Sequence, residues 1–106
     1  WHFVDHHLSH AASAFHVSPF RRAAILTIDG RGEKTTTMHA LGEGTSITPL
    51  SRVEMPHSLG LLYEEMTTYL GFLHSSDEYK VMALAAMGEP EFYGYFRDLV
   101  RIGADG

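Results

Sequence analysis

Three stretches of this sequence carry residue types that can do chemistry at a useful spacing. The first is Asp5-His6-His7-Leu8-Ser9-His10. Asp5 is a good helix N-cap, and the Ala-rich run from His6 to His16 reads as a helix that Ser18-Pro19 closes. Each helical residue turns about 100°, so His10 lies about 40° from His6, while Leu8, Ala12 and Phe15 fall about 180–240° away as an apolar face. Imidazoles at i and i+4 can share a metal ion. His7, about 100° off that face, is a weaker ligand. Ala11 and Ala14 keep the neighbouring surface low, so another segment can approach. The same spacing also suits a polar face of solvated histidines, and a metal site needs a third ligand.

The second stretch is Leu26-Thr27-Ile28-Asp29-Gly30-Arg31-Gly32-Glu33. A buried strand here delivers an aspartate to a glycine turn. Asp29 can bind a cation or orient a nucleophile, and the amides around Gly30 and Gly32 can cradle a phosphate if the backbone takes positive φ. The plain alternative is a hairpin, for which Asp-Gly is a strong signal. It is not a P-loop, which requires a following Lys-Ser/Thr and a helix. The third stretch is Ser75-Ser76-Asp77-Glu78-Tyr79-Lys80, in which Ser75 and Glu78 form a capping box. Lys80, early in that helix, opposes the dipole, as it would if it served an anion; it could equally pair with Asp77, Glu78 or Glu64. His57, beside a helix start at Ser58, is a candidate substrate contact or simply a turn residue.

The elements that position these residues follow from the pattern around them. Ala23–Ile28 is a nearly continuous apolar run and reads as a buried strand. Asp29–Lys34 is the turn after it, Thr35–Leu41 a returning strand, Gly42-Glu43-Gly44 a second turn, and Ile47–Met55 a third strand with Pro49 at an edge or bulge. Pro56 ends this meander. Leu59, Leu62, Met66 and Leu70 then share one helical face, with Gly71 suited to C′. A helix from the capping box to about Met87 and another after Pro90 complete an α/β chain: a short strand ending at His2-Phe3-Val4, an N-terminal helix, a three-stranded antiparallel meander, then helices.

Composition limits what such a chain can be. The 106 residues include 8 Lys plus Arg and 13 Asp plus Glu, a net charge of −5 with His neutral. That balance argues against non-specific nucleic-acid binding. No apolar run reaches the ~20 residues of a membrane helix. The absence of cysteine excludes disulfides and thiolate metal sites and by itself leaves the compartment open. The chain opens on Trp1 rather than Met and is expected to be a piece of a longer protein.

Taken in order, Asp5–Phe15, Ser18-Pro19-Phe20, Thr27–Glu33, Pro56–Tyr63 and Asp77–Ala85 resemble the O-carbamoyltransferases of nodulation-factor and antibiotic biosynthesis. The resemblance spans about residues 2–90. It implies the actin-like, sugar-kinase-like fold, with two RNase H-like halves and nucleotide between them. Residues 1–106 would then be a fragment of the actin-like domain, with no complete second domain. It also implies a cytoplasmic enzyme. A separate domain would make carbamoyladenylate from carbamoyl phosphate and ATP, and this one would pass the carbamoyl group to a hydroxyl of a sugar or antibiotic-type acceptor. By resemblance, a divalent metal, iron, sits on His6, His10 and Asp29, with a further aspartate beyond Gly106. Gly30, Arg31 and Gly32 would border the phosphate, and Lys80 would add positive charge. Asp29 and His7 are the catalytic candidates; His7 or His57 would serve as base for the acceptor. Two alternatives stand beside this reading: a tRNA threonylcarbamoyl transferase-like domain, and a non-catalytic module that binds a partner or self-associates through bare faces such as Phe92–Phe96.

Overall fold

The computed structural model describes residues 1–103. The elements run α1 (His6–Phe15), β1 (Arg22–Gly32), β2 (Thr35–Glu43), β3 (Ser46–Glu54), α2 (Leu59–Tyr69), α3 (Glu78–Ala85) and α4 (Tyr93–Leu99). From α1 onward this is the expected α/β order; the short strand expected to end at His2-Phe3-Val4 does not form, and those residues are exposed and irregular. The strands form one antiparallel sheet, β1-β2-β3, so β2 is central. Local signals set most boundaries. The Asp5 side chain accepts from the Leu8 amide and caps α1. Ser58 caps α2 in the same way through the Leu61 amide. Gly71, at φ 87°, follows the end of α2, and Pro49 lies on edge strand β3 beside a register shift.

The core lies between α1 and one face of the sheet. Ala11 and Phe15 of α1 meet Ile25, Met38 and Ala40. Directly opposed residues share a face, and the register pairs Ile25 with Ala40 and Thr27 with Met38. Arg52 of β3 reaches the same side and donates to Asp5 Oδ2 at 2.8 Å, pinning the start of α1 to the far strand.

Several expectations change. The buried stripe of α1 is His7, Ala11 and Phe15, not Leu8, Ala12 and Phe15. The helix is rotated by about one residue, because a histidine with partners for both nitrogens can be buried. β1 is one-sided rather than buried on both faces: Ile25 and Thr27 are covered, while Leu26 and Ile28 are 57% and 51% exposed. Nor does β1 stop at Ile28. The strand continues to Gly32 across an irregularity in the ladder, and the turn falls at Glu33-Lys34, with Glu33 at φ 61°. Gly42 is within β2, where its missing side chain makes room for the Phe15 ring: an added Cβ would come within 2.7 Å of it.

The helical half differs as well. Leu59 of α2 and Leu70 at its C-cap are exposed, and Thr67 is the buried residue of the helix. The capping box before α3 is half formed. Glu78 accepts from the Ser75 amide at 2.5 Å, but Asp77 holds the N-cap position. Neither α3 nor α4 buries a residue. Among the described residues no helix is long and apolar enough to cross a membrane.

Candidate metal centre

His6, His10 and Asp29 come together at the point where α1 crosses the distal part of β1. His6 Nε2 lies 2.6 Å from Asp29 Oδ2, His10 Nε2 lies 3.3 Å from the same oxygen, and the two Nε2 atoms are 3.0 Å apart. Metal bonds of about 2.0–2.2 Å place neighbouring donors about 2.8–3.1 Å apart in an octahedral shell and about 3.3–3.6 Å apart in a tetrahedral one. The 3.0 and 3.3 Å edges of the triangle match those lengths, while the 2.6 Å edge is a hydrogen-bond distance that an ion would widen slightly. Its composition, two imidazoles and a carboxylate, is the donor set of a facial triad that leaves positions open. Both histidines are partly exposed, 40% and 53%, so the open side of the triangle faces solvent.

Each member is placed by its own element. His6 and His10 share a face because they are one helical turn apart. Asp29 follows Ile25 and Thr27 in the alternation of β1 and so points toward α1. Its Oδ1 accepts from the Gly30 amide at 2.7 Å, which leaves Oδ2 for the histidines. Burial alone pushes the Asp29 carboxyl up; hydrogen bonds from His6, the Gly30 amide and His10 outweigh it and hold the group below the ordinary aspartate value. The carboxylate is therefore ionised at neutral pH, as a ligand must be.

The glycines of β1 serve this geometry by a different route from the one expected. Neither Gly30 nor Gly32 is among the positive-φ residues, and the segment is an extended strand rather than an anion-cradling turn. Gly32 instead lets α1 approach: a Cβ there would lie 2.7 Å from the rings of both His6 and His7. On the other face, Gly60 of α2 sits against the same segment, where an added Cβ would be 2.5 Å from the Gly30 nitrogen. The Ser58 hydroxyl donates to the Gly30 carbonyl at 2.9 Å and closes that contact.

The other candidates are placed as follows. His7 is fully buried, with Nδ1 2.7 Å from Thr27 Oγ1 and Nε2 2.9 Å from the Thr35 carbonyl. Lys80 pairs with Asp77 at 2.8 Å; that hydrogen bond raises the lysine pKa and lowers that of Asp77. Lys80 is thus tied to its own helix start and does not line the cleft beside Asp29. Arg31 pairs with Glu64 at 3.3 Å. The His57 ring is exposed, while its carbonyl accepts from buried Thr36 at 2.5 Å.

A cleft of about 800 Å³ opens on the α2 side of β1, lined among others by Asp29, Gly30, Arg31, Gly60 and Glu64. Glu64 draws its wall together. Its Oε1 accepts from Ser75 Oγ at 2.8 Å and faces His74 Nδ1 at 2.9 Å, and these contacts, with Arg31, keep its carboxyl below the usual range. Glu64 as a hub, with His74 and Ser75, escaped the sequence reading, as did Thr27 and Thr35 around His7. A signal for Thr27 existed: it is two residues before Asp29 and so on the same face of the strand. Nothing local marks Glu64, whose partners lie 10, 11 and 33 residues away.

Comparison with known proteins agrees with the motif order. The family model for the carbamoyltransferase N-terminus matches residues 1–103, and the chain belongs to that family. Among similar proteins, an uncharacterized protein of Synechocystis is 50% identical over 98% of this chain and 17% of its own length. The nodulation protein NolNO of Sinorhizobium fredii is 52% identical over 83% of this chain and 13% of its own length. Nodulation protein NolO of Bradyrhizobium diazoefficiens is 43% identical over 85% and 16%. The chain therefore spans about one-sixth of the length of these relatives.

Proposed function

We propose that this chain is the metal-holding part of an O-carbamoyltransferase, within an actin-like domain of the RNase H-like kind, and that a divalent ion binds on His6, His10 and Asp29. The observation that carries the reading is the convergence of His6 Nε2, His10 Nε2 and Asp29 Oδ2, every one within 4.8 Å of the others. Membership of the carbamoyltransferase N-terminus family supports the transfer of a carbamoyl group, and similarity to the nodulation proteins NolNO and NolO agrees with the nodulation side of the resemblance. The donor in this reading is carbamoyladenylate, made from carbamoyl phosphate and ATP elsewhere in the protein. The acceptor is a hydroxyl of a sugar or antibiotic-type molecule. Iron is the ion that the resemblance favours, and a facial two-histidine, one-carboxylate set suits it.

When bound, such an ion polarises the carbamoyl carbonyl and offsets phosphate charge as it develops. The residues of this chain hold the donor triangle rigid and open on one side. The Gly30 amide fixes Asp29, and the α1 register fixes His6 and His10. Arg31, on the wall of the adjoining cleft, supplies a cation within reach of a phosphate only if it leaves Glu64, so its role is secondary.

The test is carbamoyl transfer by the intact protein carrying His6→Ala or His10→Ala. Transfer should be lost while carbamoyladenylate formation continues, because the two reactions belong to separate domains. Undiminished transfer in both variants would remove the site assignment.

A further inference from the structure

His7 stands between two liganding candidates in sequence and yet is the most enclosed histidine of the cluster, with no exposure to solvent. Its two ring nitrogens are both committed. A carbonyl only accepts, so Nε2 carries the proton donated to Thr35 O. Nδ1 lies 2.7 Å from the Thr27 hydroxyl, which is placed to donate to it. The other contact of that hydroxyl, to the Met38 carbonyl at 3.5 Å, is too long to compete for the proton. The ring thus has no free lone pair for a metal or for an acceptor proton. It bridges β1, through Thr27, to the start of β2, through Thr35, and it hangs from the helical turn that bears His6.

We infer that the buried Thr27–His7–Thr35 bridge is the positioning device of the metal centre. It fixes the rotation of α1 about its axis, and that rotation sets where His6 and His10 meet Asp29. The geometry requires this precision. One residue of slip rotates the helix face by about 100° and would carry both imidazoles off the carboxylate. Gly32 admits the rings of His6 and His7 together, and an added Cβ would meet both at 2.7 Å, so the bridge and the ligand pair share one seat. Thr27 and Asp29 are on the same face of the same strand. The bridge and the carboxylate therefore move as one body, and α1 is referenced directly to the ligand it must meet. His7 is in this account a positioning residue, not a base or a ligand. The inference rests on the metal reading above.

The test is a Co²⁺ titration of the intact protein, followed by the visible absorption of the bound ion, with the His6→Ala/His10→Ala double variant as the blank. Thr27→Val keeps the shape of Thr27 and removes the hydroxyl that faces Nδ1, together with its long contact to the Met38 carbonyl. It should weaken Co²⁺ binding about 10–100-fold, the usual cost of losing a partner that orients a metal ligand. His7→Gln, with an acceptor and a donor at its tip, should restore most of the affinity that His7→Leu loses. Ile47→Ala, a destabilising change on the core's margin, should lower Tm and leave the affinity unchanged. Wild-type affinity in Thr27→Val, or an equal loss in Ile47→Ala, would overturn the positioning role. Wild-type protein that binds no more Co²⁺ than the double variant would overturn the metal reading and this inference with it.

Discussion

Asp29 divides its carboxylate between two tasks. One oxygen is held by the Gly30 amide at 2.7 Å, and the other meets His6 at 2.6 Å and His10 at 3.3 Å. Asp5 divides its own in the same manner, with Oδ1 capping α1 at the Leu8 amide and Oδ2 accepting from Arg52. The Leu8 hydrogen bond, followed by that from Arg52, holds the Asp5 carboxyl below the ordinary aspartate value. A carboxyl whose folded pKa is depressed stabilises the fold above its unfolded value and loses that contribution as pH falls through the folded value. Thermal unfolding should therefore show Tm falling as pH drops below about 4, the unfolded aspartate value. Asp5→Asn, which titrates no longer at this position, should begin less stable at neutral pH and lose less on acidification. An equal pH slope in the two proteins would contradict the role given to Asp5. Removal of the cap by Asp5→Ala should cost about 1 kcal/mol for the helix end alone. The pair His6 and His10 was legible in the sequence because i, i+4 spacing on a helix is a local property. The inward role of His7 was not, since its partners Thr27 and Thr35 are 20 and 28 residues away.

At the scale of elements, the site depends on β1 being covered on both faces near its end. α1 packs on one side through His7, and α2 begins on the other with Gly60 against Asp29-Gly30. Gly60→Val would force side-chain atoms into that backbone contact, where neither partner can yield as a flexible side chain would. A loss of about 1–3 kcal/mol, typical of overpacking, is expected by denaturant titration, together with faster hydrogen exchange at the amides of Asp29 and Gly30. Unchanged stability would show that α2 does not rest on this segment. The caps at Asp5 and Ser58, the edge placement of Pro49 and the order of the strands were readable because each rests on neighbours in sequence. The length of β1 was not. Asp29-Gly30 is a strong turn signal by itself, but here the strand runs on to Gly32, with α1 and α2 packed on opposite sides of its distal part. The side on which α1 is buried was also missed, because a hydrophobicity pattern scores His7 as polar and cannot see that both its nitrogens find partners.

Across the whole molecule, the His6–His10–Asp29 triangle and the adjoining cleft share Asp29, and both lie on the segment where three elements meet. Elsewhere the packing is thin. The core is five residues between α1 and the sheet, and Leu26 and Ile28 leave the other sheet face open to solvent among the described residues. The chain spans about one-sixth of the length of its relatives. In the proposed function its part is to hold a divalent ion on His6, His10 and Asp29, which α1 and β1 alone bring together. The most direct test of that claim is elemental analysis of the purified intact protein beside its His6→Ala/His10→Ala variant, each confirmed as folded by circular dichroism. The wild type is expected to hold a divalent ion tightly and the variant to lose it. An undiminished metal content in the folded double variant would contradict that claim.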